Sequence, residues 1–129
     1  MAITGDALQA WLDSYGRAWE QMEPDAAASL FAEDATYRET PFDEPIRGRE
    51  AIREYWRGAT AAQRDIRFEH EVLAADGDQG IAWWRARFHR VPTGADVTLD
   101  GIFVLAFDGE GRCSSLREWW VRREVAAEG

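Results

Sequence analysis

Ile66-Arg67-Phe68-Glu69-His70-Glu71-Val72-Leu73 is the stretch on which the fold turns. Before it, apolar residues recur every three or four positions. From Ile66 the period is two, so Ile66, Phe68, His70 and Val72 share one face of a strand and Arg67, Glu69, Glu71 and Leu73 the other. Asp76-Gly77-Asp78 then reads as a hairpin turn into a strand over 80–91. Pro92-Thr93-Gly94 turns the chain into a strand over 97–107, and Asp108-Gly109-Glu110-Gly111 into a last strand over 113–123. Long sequential strands joined by tight turns predict a strongly curved antiparallel meander.

Upstream, Leu8, Trp11, Leu12, Tyr15, Trp19 and Met22 form one apolar stripe, the pattern of a helix. Glu23-Pro24-Asp25 interrupts it, and Asp25 is the expected cap of a short helix running through Ala32, with Leu30 and Phe31 buried. A first strand is expected over 35–40, closed by Pro41. A loop through Pro45 and Gly48 leads to a third helix over 49–58, anchored by Ile52, Tyr55 and Trp56. The predicted fold class is α+β, with three N-terminal helices covering one face of a curved antiparallel sheet. The 129 residues have the length of one domain, 1–129.

Hydrophobic residues at 46% and charged residues at 30% describe a chain that folds around a core. The 15 basic residues are all Arg, and 24 acidic residues bring the net charge to -9. Such a surface repels nucleic-acid phosphates and anionic lipid, so neither nucleic acid nor membrane is an expected partner. The single Cys113 supports no internal disulfide, and the spacing of His and carboxylates suggests no metal site. The start of the chain lacks the basic and apolar regions of a signal peptide, which makes the cytoplasm the expected location.

Charge within the strands points to a site. Alternation over 80–91 puts Trp83, Arg85, Arg87 and His89 on one face and Ala82, Trp84, Ala86, Phe88 and Arg90 on the other. In the last strand Leu116, Glu118 and Trp120 share a face opposite Arg117, Trp119 and Val121. A charge inside a fold is costly unless paired, so Arg85 and Arg87 are expected to meet Glu118, Glu39 or a ligand anion. Large aromatics on both faces suggest a pocket on one side and a second subunit on the other.

Two segments and two landmarks carry a resemblance. Leu30-Phe31-Ala32-Glu33-Asp34-Ala35-Thr36 with Pro45-Ile46-Arg47-Gly48-Arg49-Glu50-Ala51-Ile52, the Phe107-Asp108-Gly109-Glu110-Gly111-Arg112 hairpin, and the strand ending in Trp119-Trp120 resemble the nuclear-transport-factor-2-like superfamily, in its SnoaL-like branch. The resemblance runs from Leu8 to Glu124. It implies a cystatin-like α+β fold, a cone barrel with a largely apolar pocket inside, and a homodimer formed through the outer sheet face.

Against ketosteroid isomerases, the resemblance places Glu39 where those enzymes have their general base, Tyr15 on their oxyanion-donating Tyr, and Phe103 in place of a protonated Asp. Against limonene-epoxide hydrolases, it places Tyr37 and Glu39 on the water-positioning Tyr and Asn. Arg85 falls there on an Arg, and Glu118 and Arg87 on the two catalytic Asp residues. Both comparisons imply that Tyr37, Glu39, Arg85, Arg87, Phe103, Glu118 and Trp120 line one cavity. Trp56, His70, Trp83 and Leu116 complete the expected ligand wall. The implied activity is isomerase, hydrolase or cyclase chemistry without a cofactor on a hydrophobic, oxygenated small molecule. Glu39 and Glu118 would act as acid and base, Tyr15 and Tyr37 as donors. The alternative is a non-catalytic ligand-binding or dimerisation module in which Arg85, Arg87, Glu39 and Glu118 neutralise one another.

Overall fold

The structure, a computed structural model, describes residues 2–127. In chain order the elements are α1 (Gly5–Glu20), α2 (Pro24–Ala28), β1 (Phe31–Arg38), β2 (Ile46–Arg47), α3 (Arg49–Ala61), β3 (Gln63–Asp76), β4 (Gln79–Arg90), β5 (Asp96–Phe107) and β6 (Cys113–Val125). The strands form one open, curved sheet in the order β2-β1-β6-β5-β4-β3. β3 to β6 are the expected antiparallel meander, whereas β1 lies parallel to β6.

α1 begins where the Thr4 hydroxyl accepts a hydrogen bond from the Ala7 amide at 3.0 Å. Its buried stripe of Leu8, Trp11, Leu12, Tyr15 and Trp19 faces the sheet. Trp11 meets Phe31 and Phe107 edge-on at 5.7 Å, Tyr15 meets Phe103 at 5.6 Å, and Trp19 lies 6.1 Å from Trp84. Aromatic pairs at these separations prefer edge-on or offset arrangements, which is what the cluster shows.

Several local expectations are corrected. α2 stops at Ala28 rather than Ala32, because the Leu30 carbonyl is taken by the Cys113 amide at 2.9 Å and by the Trp11 indole at 3.0 Å. Strand pairing therefore captures Phe31 and Ala32, and β1 starts four residues earlier than its 35–40 reading. Glu23, not Asp25, is the N-cap of α2, with Pro24 in the first turn, where a missing amide hydrogen costs nothing. Asp25 instead pairs with Arg53 of α3 at 2.9 Å.

Register shifts between β3 and β4 and near the end of the β5–β6 pairing mark bulges, which add twist and help bend the sheet around the helices. The bend also needs Gly101, paired with Trp84 on one side and Trp120 on the other. A Cβ there would strike the Trp119 carbonyl and come within 2.7 Å of the Trp120 Cβ. Gly101→Ala is expected to destabilise the protein by about 1–3 kcal/mol, as overpacking of a filled site does. Urea unfolding measures this, and an unchanged midpoint would contradict it.

Candidate functional site

Among the described residues, Glu118 is the one charged side chain buried on the concave face of the sheet. Ala82, Trp84, Ala86 and Phe88 of β4, Val97, Phe103 and Leu105 of β5, and Leu116 of β6 are all buried. Among them sits Glu118, only 5% exposed and directly opposite Phe103 in the β5–β6 register. Its Oε1 accepts a hydrogen bond from the Tyr37 hydroxyl at 3.3 Å, and the Tyr15 hydroxyl lies 3.3 Å behind that of Tyr37. The parallel β1–β6 register, with Tyr37 beside Leu116 and Arg38 beside Arg117, leads Glu39 toward Glu118. The Trp120 indole then fixes the turn by donating to the Glu39 carbonyl at 2.8 Å.

These groups open on a cavity of about 430 Å³ between the sheet and α3. Tyr37, Glu39, Trp56, Glu118 and Trp120, all expected in the site, lie on its wall. So do Trp19, Tyr55, Trp84, Phe88, Leu99, Arg90 and Arg122, which the expected site did not include. The helical spacing that marked Tyr55 as an anchor of the third helix contained this signal. The indole N–H groups of Trp56 and Trp84 are buried and have no hydrogen-bond partner among the described residues.

Electrostatics sets the state of the site. Burial, then the neighbouring Glu39 carboxylate, push the Glu118 carboxyl well above the usual carboxylate range, and the Tyr37 hydrogen bond only partly offsets this. Among the described residues, no guanidinium is among the causes that act on Glu118. Burial and Glu39 both favour the protonated acid over the carboxylate, so Glu118 is suited to offering a proton from the cavity wall. Burial first, and Glu118 second, also raise the Tyr15 and Tyr37 hydroxyls well above their ordinary value; burial, then Glu39, does the same for Tyr55. All three remain hydrogen-bond donors.

Other expected members lie elsewhere. Arg85, Arg87 and Trp83 are on the convex face, because the apolar alternation of Ala82, Trp84, Ala86 and Phe88 claims the concave one. Arg85 meets neither Glu39 nor Glu118. Its guanidinium pairs with Asp100 at 2.8 Å, and Asp100 also accepts from the Trp83 indole at 3.1 Å. Arg87 lies opposite Arg67 in a charged hollow of about 940 Å³ on that outer face, so the expected mutual neutralisation of four charges does not form.

His70 packs beside α1, with Nε2 3.0 Å from Asp13 and 2.8 Å from Gln9, away from the cavity wall. Tyr15, Phe103 and Leu116 are fully buried behind the wall: Tyr15 backs Tyr37, and the other two are core. Among the described residues, no three His, Cys, Asp or Glu side chains are grouped to hold a metal ion. Burial pushes the Cys113 thiol far up, consistent with an unreactive core residue.

Residues 9–116 match the SnoaL-like domain family. A steroid Delta-isomerase of Nocardioides simplex is 34% identical over 100 residues, covering 75% of this chain and 76% of that protein. Among solved structures, the epoxide hydrolase/cyclase-like enzyme SalBIII, of pyran ring formation in the polyether salinomycin, superposes with a TM-score of 0.75. Its identity is 22%, and the match covers 90% of this chain and 88% of SalBIII. RV0760c from Mycobacterium tuberculosis superposes with a TM-score of 0.80 at 17% identity, covering 95% of this chain and 98% of that one. At such identities these two structures speak for the fold alone.

The Glu118 environment has a consequence for stability. Its folded value lies above the unfolded one, so its contribution is full below the unfolded value and is lost as pH rises through the folded value. Glu118→Gln cannot ionise. Its stability relative to the native protein is expected to rise steadily with pH above the ordinary carboxylate range. Denaturant titrations between about pH 5 and pH 9 measure the difference, and a pH-independent gap would contradict the burial of a neutral acid.

Proposed function

The chain belongs to the SnoaL-like domain family, and from that premise we propose that it is a cofactor-independent isomerase that moves protons on a hydrophobic ketone. The observation carrying this reading is the buried Glu118 carboxyl beside Glu39 on the wall of a cavity otherwise rich in aromatic rings, where burial and like charge both favour the protonated form of Glu118. Two carboxyl groups whose surroundings separate their roles make an acid/base pair. The 34% identity to a steroid Delta-isomerase supports a polycyclic ketone as substrate, and a cavity of about 430 Å³ is in the size range of small-molecule sites.

In the proposed reaction the ketone oxygen accepts a hydrogen bond from Glu118. Glu39 removes a proton from the carbon between the carbonyl and a β,γ double bond. The C–H electrons move into the ring system, the double bond shifts, and the oxygen carries the enolate charge. Glu39 then returns the same proton to the γ carbon, giving the conjugated ketone without any co-reactant. Tyr37, backed by Tyr15, holds Glu118 in place. The proposed oxyanion donor is therefore Glu118, with Tyr15 one layer behind and Phe103 a packing residue.

The test uses a steroid with a β,γ-unsaturated ketone, followed through the absorbance of the conjugated product. Glu39→Gln is expected to lower kcat by about 10²–10⁴-fold as the base is lost. Glu118→Gln keeps an N–H donor but no transferable proton, and an expected loss of roughly 10–100-fold falls below that for removing an oxyanion donor outright. Native activity in both variants, or no turnover by the native protein, would overturn the reading.

The outer face is proposed to seat a second copy of the chain. Ile81, Trp119 and Val121 are exposed there, at one end of the convex surface. Sedimentation of the native protein as a monomer at micromolar concentration would overturn this.

A further inference from the structure

Four side chains of β6 point into the concave face in order of depth. Leu116 is fully buried, Glu118 is 5% exposed, Trp120 is half-buried, and the Arg122 side chain is 54% exposed. A strand advances about 3.4 Å per residue, so Arg122 stands roughly 13–14 Å from Glu118 along the same wall. β4 repeats the gradient: Trp84 lies deep, Phe88 above it, and Arg90 at the mouth. The cavity is thus a polarised slot, with an acid at its floor, rings along its length and two guanidiniums at its rim.

The rim is not neutral. Glu124 pairs with Arg90 at 2.9 Å and stands 3.9 Å from Arg122, so one carboxylate serves two guanidiniums. Glu54, across the mouth on α3, is already paired with Arg57 at 2.6 Å. One positive charge is left over, at the entrance of an apolar cavity, on a chain whose net charge is -9. At the far end the Glu39 carboxylate repels anions. A ligand with one negative end therefore has a single favourable direction of entry.

We propose that the substrate of this site is an amphiphilic monoanion: a steroid-sized hydrophobic body, an oxygen function that reaches Glu118, and a carboxylate at the opposite end held by Arg122 and Arg90. Guanidinium suits this role because its planar fork pairs with a carboxylate through two parallel hydrogen bonds. The assignment rests on the acid/base reading only for which end enters first. The rim itself distinguishes charged from neutral ligands whether or not turnover occurs.

Binding of 3-oxo-4-cholenoic acid and of its methyl ester, followed by quenching of the cavity tryptophans at low ionic strength, tests the proposal. The two probes share a ring ketone and differ at the distal end, a carboxylate in one and a neutral methyl ester in the other. The native protein is expected to bind the acid roughly tenfold more tightly than the ester, the scale of one charge-assisted pair at a partly exposed rim. Arg122→Gln should remove most of that preference for acid over ester, while Arg122→Lys should keep part of it. Glu124→Gln frees both guanidiniums and should tighten the acid by a few-fold, a gain that misfolding cannot mimic. Equal affinity of the native protein for acid and ester overturns the anionic-tail assignment, while the acid/base reading stands or falls on turnover of the neutral ketone. Failure of both probes to bind overturns the assignment as well.

Discussion

Three rings of α1, those of Trp11, Tyr15 and Trp19, seat against the concave face of the sheet, and the remaining geometry follows from how far they reach. Trp11 closes the end lined by Phe31 and Phe107, Tyr15 meets Phe103, and Trp19 reaches Trp84. Beyond Trp19 the helix has ended, yet β4, β5 and β6 continue. The strands therefore enclose space that α1 cannot fill. α3 covers it from the side with Tyr55 and Trp56, and what remains is the cavity. The site is a direct product of a 16-residue helix packed against strands of 12 to 14 residues.

A carboxyl group at the boundary between filled and unfilled space under the curved sheet has no good option as an ion. Glu118 has Phe103 opposite it, the Tyr37 hydroxyl as a donor and Glu39 as the neighbouring charge that disfavours its ionisation. Desolvation and like charge act in the same direction, so the neutral acid is the stable form. Tyr15 can serve as the second member of the hydroxyl chain only because α1 brings its ring into the core. Packing and chemistry are thus one arrangement here: the stripe that builds the core also positions the donor behind the acid.

The strands were readable from local pattern because alternation and turn chemistry act within a few residues. Which face turns inward was readable too, in the run Ala82, Trp84, Ala86, Phe88. That run is more apolar than its alternate, and mapping Arg85 and Arg87 onto enzyme positions pointed to the wrong face. A balance of charge across the sheet decides such cases: Arg85 finds Asp100 on the convex side, its direct register partner on β5 and a contact that no neighbouring residue announces. The early start of β1 and its parallel pairing with β6 were not legible, since they depend on contacts such as Cys113 with Leu30, more than eighty residues apart. Glu39 and Glu118 reached one wall through that same long-range pairing; the need to pair buried charge named both carboxylates, and the family resemblance placed them in one cavity.

Burial and the neighbouring Glu39 both favour the neutral acid form of Glu118 over its carboxylate. Isotope-edited infrared or carbon NMR spectroscopy of a glutamate-labelled protein, with Glu118→Gln used to assign the signal, reads that protonation state directly. A carboxyl signal that titrates well above the usual carboxylate range is the predicted result. A Glu118 signal that ionises in the ordinary range, near that of a solvated glutamate, would contradict the account.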